Sequence, residues 1–157
     1  MSRPPIYCWD ASVFIAWFGK EPLAESPPML AVIDEISNGK CRLLAPAHVY
    51  TEFLEAKHAP DIMEQFRKFM LRSNVTVANV TMQLAVRAGD IRTLGVRATP
   101  KRNIKTADAL FIACALVHGA DMLHSKDPDM LNLNGSELVN KLKICLPTSV
   151  TKEQALV

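Results

Sequence analysis

The chain has 157 residues, 49% apolar and 22% charged, with six glycines, ten prolines and a net charge of +2. These figures fit one globular domain with a sizeable core and exclude disordered, collagen-like and low-complexity chains. A charge so near zero also argues against a module that holds nucleic acid by bulk electrostatics alone, so the placement of individual charges carries the information.

The first residues, Met1 to Pro5, lack the long apolar stretch of a secretory leader, and the apolar run Ala11–Phe18 is far below the roughly 20 residues needed to span a bilayer. A cytoplasmic protein with no membrane partner is expected. Ile6–Trp9 is a short β-prone run closed by Asp10, and Val13, Phe14, Ile15, Trp17 and Phe18 read as a short helix stopped by Gly19. Ser26 and Pro27 open a helix carried by Met29, Leu30, Val32, Ile33 and Ile36 and ended by Asn38-Gly39. Cys41–Ala45 predicts a second buried strand, and Pro46, which fits a first helical position, opens a helix to about Ala56. Pro60 starts another, with Ile62, Met63, Phe66, Phe69 and Met70 on one face, and Val75–Val80 predicts a strand. Thr81 caps a helix whose Leu84, Ala88, Ile91 and Leu94 keep the helical period. Thr106 begins the most apolar helix, through Val117, ended by His118-Gly119; Asp121–Ser125 and Lys143–Leu146 are the last strand candidates.

Strands alternating with helices imply an α/β fold, here a single-domain Rossmann-like three-layer sandwich with a short parallel sheet over residues 1–147. Residues 148–157 read as a C-terminal tail, with the polar stretch Thr151–Gln154 read as disordered. The four cysteines form no C-x-x-C pair and the four histidines no H-x-x-x-H pair, so buried free thiols are expected and a histidine-based zinc site is not. No glycine-rich phosphate loop follows any strand, which argues against a nucleotide-binding flavodoxin-like protein.

Most of the 16 acids suit solvated helix surfaces, but a few do not. Asp10 ends the first strand, at the sheet edge where open parallel sheets form ligand crevices; it is also a natural helix N-cap, and the two roles are compatible. Glu52 lies on the margin of the arc Val49, Tyr50, Phe53, Leu54 and Ala56, whereas Glu55 points away. Asp108 is the only charge in Ala107–Val117, a costly place for a carboxylate without a cation or donors. Asp127 and Asp129 follow a late strand, where an Asp- and Pro-rich turn alone would also explain them. Brought to one sheet edge, these carboxylates would repel one another unless hard divalent cations neutralised them, and all-oxygen sites suit Mg²⁺ or Mn²⁺. Between Val96 and Ala107 stand Arg97, Lys101, Arg102 and Lys105 and no acid, which reads either as a basic patch for a nucleic-acid backbone or as a solvated loop.

Asp10-Ala11-Ser12, Glu52, the run Lys105 to Ala113 and Leu123-His124-Ser125-Lys126-Asp127-Pro128-Asp129 together resemble the successive motifs of PIN-domain ribonucleases over about residues 6–131, in the style of VapC-type toxins of toxin–antitoxin pairs. The resemblance implies an acidic cluster that holds one or two Mg²⁺ or Mn²⁺ ions and hydrolyses RNA, leaving 5′-phosphate and 3′-hydroxyl ends. It maps Asp10, Glu52, Asp108 and Asp127 onto the metal-binding acids and Ser12 and Ser125 onto the accompanying hydroxyls, with Asp129 replacing or assisting Asp127. It also implies an antitoxin partner and a homodimer. The competing reading is a PIN-fold module without catalysis that binds protein through the helices around Ser26–Ile36 and Ile62–Met70.

Overall fold

The computed structural model describes residues 2–150; Met1 and residues 151–157, including the stretch read as disordered, lie outside the described residues. Five strands, β1 (Ile6–Trp9), β2 (Arg42–Pro46), β3 (Val75–Ala78), β4 (Met122–His124) and β5 (Lys143–Cys145), pair in parallel in the order β3-β2-β1-β4-β5. The α/β fold read from the alternation is the one observed. Seven α-helices join the strands: α1 (Ala11–Phe18), α2 (Pro27–Ser37), α3 (Val49–Glu55), α4 (Pro60–Met70), α5 (Met82–Arg97), α6 (Thr106–Val117) and α7 (Pro128–Leu131).

Alternation along β1 assigns the two faces of the sheet. Tyr7 bonds Glu35 of α2 through its hydroxyl at 2.8 Å, and Trp9 packs on Phe14 of α1 and Phe69 of α4, while Cys8, pointing the other way, meets Cys114 of α6. Helices therefore cover both faces. On the first face an aromatic cluster joins α1, α3 and α4: Phe53 and Phe66 stack with centroids 3.9 Å apart, and Phe18 meets both edge-on. Burying such a ring contributes about 1.5–3 kcal/mol, so this cluster anchors α3. On the second face α6 contributes six buried residues from Ala109 to Ala115, and α5 packs against it.

Two expectations need correction. Pro46 does not open a helix: it is the last residue of β2, paired with Ala78, and the ladder runs on through the Ala47 amide to the Ala78 carbonyl at 2.8 Å, so α3 begins only at Val49. A proline is tolerated at a strand end because its missing donor is not required there. Leu94 is not on the core face of α5 but 54% exposed; Gly95 takes the buried position instead. The reason is the return of the chain over the helix, since a Cβ on Gly95 would lie 2.8 Å from the Arg102 carbonyl oxygen. The thiols of Cys8, Cys41 and Cys114 are buried and that of Cys145 half-buried, all of them free. No described helix is long and apolar enough to cross a membrane. Beyond β5, Thr148, Ser149 and Val150 still lie on the domain: Ser149 bonds Glu35, and the Val150 amide donates to the Tyr7 hydroxyl at 3.0 Å.

Candidate metal centre

The strand order reverses at β1, whose neighbours are β2 on one side and β4 on the other, and the crevice beyond the carboxyl ends of β1 and β4 is the natural ligand site of such a sheet. Asp10 leaves β1 at that point, its amide donating to the His124 carbonyl at the end of β4 at 3.2 Å. Its side chain, 3% exposed, caps α1 by accepting from the Val13 amide at 3.3 Å and also accepts from Ser12 Oγ at 2.5 Å. Ser12 Oγ in turn accepts from the Lys126 amide at 3.0 Å and lies 3.5 Å from Ser125 Oγ. Ser125 Oγ accepts from the Asp127 amide at 3.0 Å, and Asp127 caps α7 by accepting from the Asp129 amide at 2.9 Å. One hydrogen-bonded chain thus stitches the ends of β1 and β4 and orients Asp10, Asp127 and the short helix carrying Asp129.

Glu52 and Asp108 arrive from helices on the two faces of the sheet. Glu52 is in the first turn of α3, next to the anchored Phe53, and is half-buried; its Oε2 is buried with no hydrogen-bond partner among the described residues. Asp108 is in the first turn of α6, half-buried where the rest of the helix enters the core. His48, unremarked in the sequence, links the two: it precedes Glu52 by one helical turn, its ring packs on Phe111 of α6 at 4.3 Å, and its Nε2 is 3.1 Å from the Ala107 carbonyl. A carbonyl can only accept, so Nε2 carries the proton. The only sequence signal for this was a histidine four residues before the candidate glutamate, which is weak by itself.

The electrostatics tie these acids into one cluster. Burial raises the Asp10 carboxyl to about 6, against the pull of the Ser12 and Ser125 hydroxyls, with Asp108 pushing it further. Burial, then the charges of Asp108 and Asp10, raise Glu52 to about 7. Asp108 is raised too, by burial first and then by Asp127 and Asp129, with Lys105 opposing. All five predicted acids thus interact at this edge. Among the described residues no three His, Cys, Asp or Glu side chains close into a ligand cage. An all-oxygen donor set of this kind, with a buried carboxylate oxygen left unpartnered at Glu52, fits Mg²⁺ or Mn²⁺.

The basic residues lie partly beside the acids and partly beyond them. Arg102 and Lys105 line a groove of about 210 Å³ together with Asp108 and Asp129, Arg97 lines an adjoining one, and Lys101 is exposed on the loop between them.

The family model for the PIN domain matches residues 7–135. The chain belongs to the PIN-domain family. Compared by sequence with curated proteins, it matches none. Among solved structures, this PIN domain superposes on VapBC2 from Rickettsia felis, bound to a promoter DNA fragment, with a TM-score of 0.65 and 14% identity over 88% of this chain and 96% of that one. For DNA-bound VapBC from Salmonella typhimurium the values are 0.63 and 16%, over 89% and 96%. VapC20 of Mycobacterium tuberculosis, a sarcin–ricin loop cleaving toxin, gives 0.57 and 17%, over 78% and 91%. At these identities the likeness is one of fold.

Two outcomes follow from the geometry. His48→Phe keeps the ring on Phe111 but loses the bond to Ala107, and is expected to weaken Mn²⁺ binding by about tenfold or more with an unchanged circular dichroism spectrum; an unaltered calorimetric affinity would leave His48 a packing residue. The second concerns pH. Acids whose native values are raised from 3.8 and 4.5 to about 6 and about 7 hold more protons folded than unfolded, so their contribution drains away as pH climbs through that window. His48 and His124, both lowered by burial, act oppositely until their unfolded-state imidazoles have lost their protons, about one unit above their ordinary 6.5. Relative to Glu52→Gln, whose amide does not titrate, the unmodified protein in EDTA is therefore expected to lose thermal midpoint as pH rises through about 7, a relative decline that excess Mg²⁺ abolishes. A constant difference between the two proteins in EDTA would show that Glu52 is not raised by its surroundings.

Proposed function

We propose that this PIN domain is a metal-dependent endoribonuclease, hydrolysing RNA phosphodiester bonds, and that it serves as a VapC-like toxin with an antitoxin partner. The observation that carries the reading is the set of buried and half-buried carboxylates gathered at the switch point, with an oxygen on Glu52 that is buried and unpartnered among the described residues. Asp10, Glu52, Asp108 and Asp127 would hold the cation, with Asp129 beside them. A divalent cation held there would supply water acidified toward neutral pH and positive charge against a phosphodiester. The chain's own groups do the rest. Ser12 and Ser125 hold Asp10 and Asp127 in orientation through the bonds described above. Burial of Asp10 keeps water from competing for its oxygens, and Lys105, whose charge reaches both Glu52 and Asp108, is placed to meet a phosphate at the lip of the crevice. No serine, cysteine or histidine nucleophile is required.

The antitoxin partner is supported by the toxin–antitoxin complexes among the structures of the same fold. Incubating the protein with a mixed RNA pool in Mg²⁺ or Mn²⁺, against an EDTA control, tests the activity: cation-dependent cleavage leaving 5′-phosphate ends is expected, and intact RNA under all conditions would overturn it. A scaffold that kept the fold without catalysis would also fail to take up Mn²⁺.

A further inference from the structure

Lys105, Ile104 and Asn103 line two grooves at once. One is the groove that reaches Asp108 and Asp129; the other, of about 560 Å³, runs along α5 past Arg92, Thr93, Val96 and Arg97. The two are therefore one channel leading away from the acids over the α5–α6 face. Four cations line it, Arg92, Arg97, Arg102 and Lys105, and none of them has a carboxylate within ion-pair distance among the described residues. The outer part has no acid in its lining. Arg92 is held there: its Nε donates to the Ile104 carbonyl at 2.9 Å, which fixes the guanidinium and leaves its two terminal amino groups without another partner among the described residues. Asn103 supplies an exposed amide, and Val96 and Ile104 an apolar wall.

Resting on the ribonuclease reading, we infer that this channel is the path of an unpaired RNA strand on one side of the bond to be cut, with Arg92 and Arg97 binding phosphates beyond the metal centre and Asn103 meeting a base edge or ribose hydroxyl. The arginines of the outer groove, which has no acid in its lining, attract a phosphate backbone. A hydrogen-bonding amide beside an apolar wall suits a splayed nucleotide, and bases are available in this way only in single strands. An acidic peptide could use the same charges, but the channel runs into the acids where a phosphodiester has to lie, which favours RNA.

The test compares Arg92→Gln, Arg92→Lys and Lys101→Gln, measuring affinity for a single-stranded RNA and for the same sequence as a hairpin duplex between low and moderate salt. Lys101 lines neither groove and serves as a charge-matched control. Arg92→Gln is expected to lower affinity several-fold and flatten the log–log salt slope by roughly 0.7, with Lys101→Gln unchanged, Arg92→Lys restoring the slope, and the single strand bound more tightly than the duplex. Equal slopes for Arg92→Gln and Lys101→Gln would overturn the inference. So would an equal loss in Arg92→Lys, which would make Arg92 a brace for the 98–105 segment, or equal binding of the duplex. If Arg92→Gln weakened capture of an acidic peptide and not of RNA, the channel would be a peptide site and the inference wrong. No RNA binding by the unmodified protein would overturn the ribonuclease reading as well, whereas metal-dependent cleavage with an insensitive Arg92 would sink the channel alone.

Discussion

Replacing Asp108 by asparagine is expected to reduce RNA cleavage by at least about a hundredfold while making the cation-free protein more stable. Asp108 is the node of the acidic cluster: its charge bears on Asp10 and Glu52, and it feels Asp127 and Asp129 in turn. An amide of the same shape cannot neutralise a divalent cation, so binding of Mn²⁺ and cleavage are lost together. The same change removes like-charge repulsion from a half-buried cluster, and the thermal midpoint in EDTA is expected to rise by a few degrees, the trade between stability and activity typical of functional sites. Circular dichroism, thermal unfolding and a cleavage assay in Mg²⁺ or Mn²⁺ read all three. Cleavage at the unmodified rate would remove Asp108 from the site, and a lower midpoint would mean that the cluster is held by attractive contacts rather than strained by repulsion.

The second large effect separates two neighbours. Glu52→Gln is expected to abolish cleavage, because its Oε2 is buried without a partner among the described residues and the carboxylate is raised by burial and then by Asp108 and Asp10. Glu55→Gln, on the exposed end of the same short helix, is expected to cut RNA as the unmodified protein does. The pair differ by three residues on one helix, so propensity and net charge are matched and only placement differs. Equal activities would show that α3 contributes no acid, and the search for the missing ligand would move to Asp129.

The sheet edge and the chain order of the acids were legible from the primary structure because each signal was local. Ile6–Trp9 ends abruptly at Asp10, Asp108 is the lone charge in an apolar helix, and Ser125-Lys126-Asp127 follows a strand; period and punctuation suffice for these. Leu94 and Gly95 show where local reading stops. Both fit the helical arc within one position, and the choice between them is made by a segment 98–105 that folds back on Gly95, a tertiary contact with no signature in the α5 sequence. Pro46 shows the same limit, since whether a proline closes a strand or opens a helix depends on whether a neighbouring strand continues beside it. His48 and Arg92 were missed for a related reason: each is defined by a bond to a backbone carbonyl on another segment, Ala107 or Ile104, and no pattern of side chains announces a carbonyl.

The central position of β1 has a bearing on when the crevice comes into being. Trp9 and His124, whose ring nitrogens meet at 3.1 Å, are 115 residues apart, and β1 has no neighbour on that side until β4 exists. On a ribosome, Asp10 and Glu52 emerge first and can be ordered by β2 and the aromatic cluster, whereas Asp108, Ser125 and Asp127 follow only after β3 and α5 have been made. Closing so long a loop is slow and comes late. The nascent polypeptide consequently carries half a crevice until β4 is made, and a chain released before residue 125 would lack the strand that completes the other half.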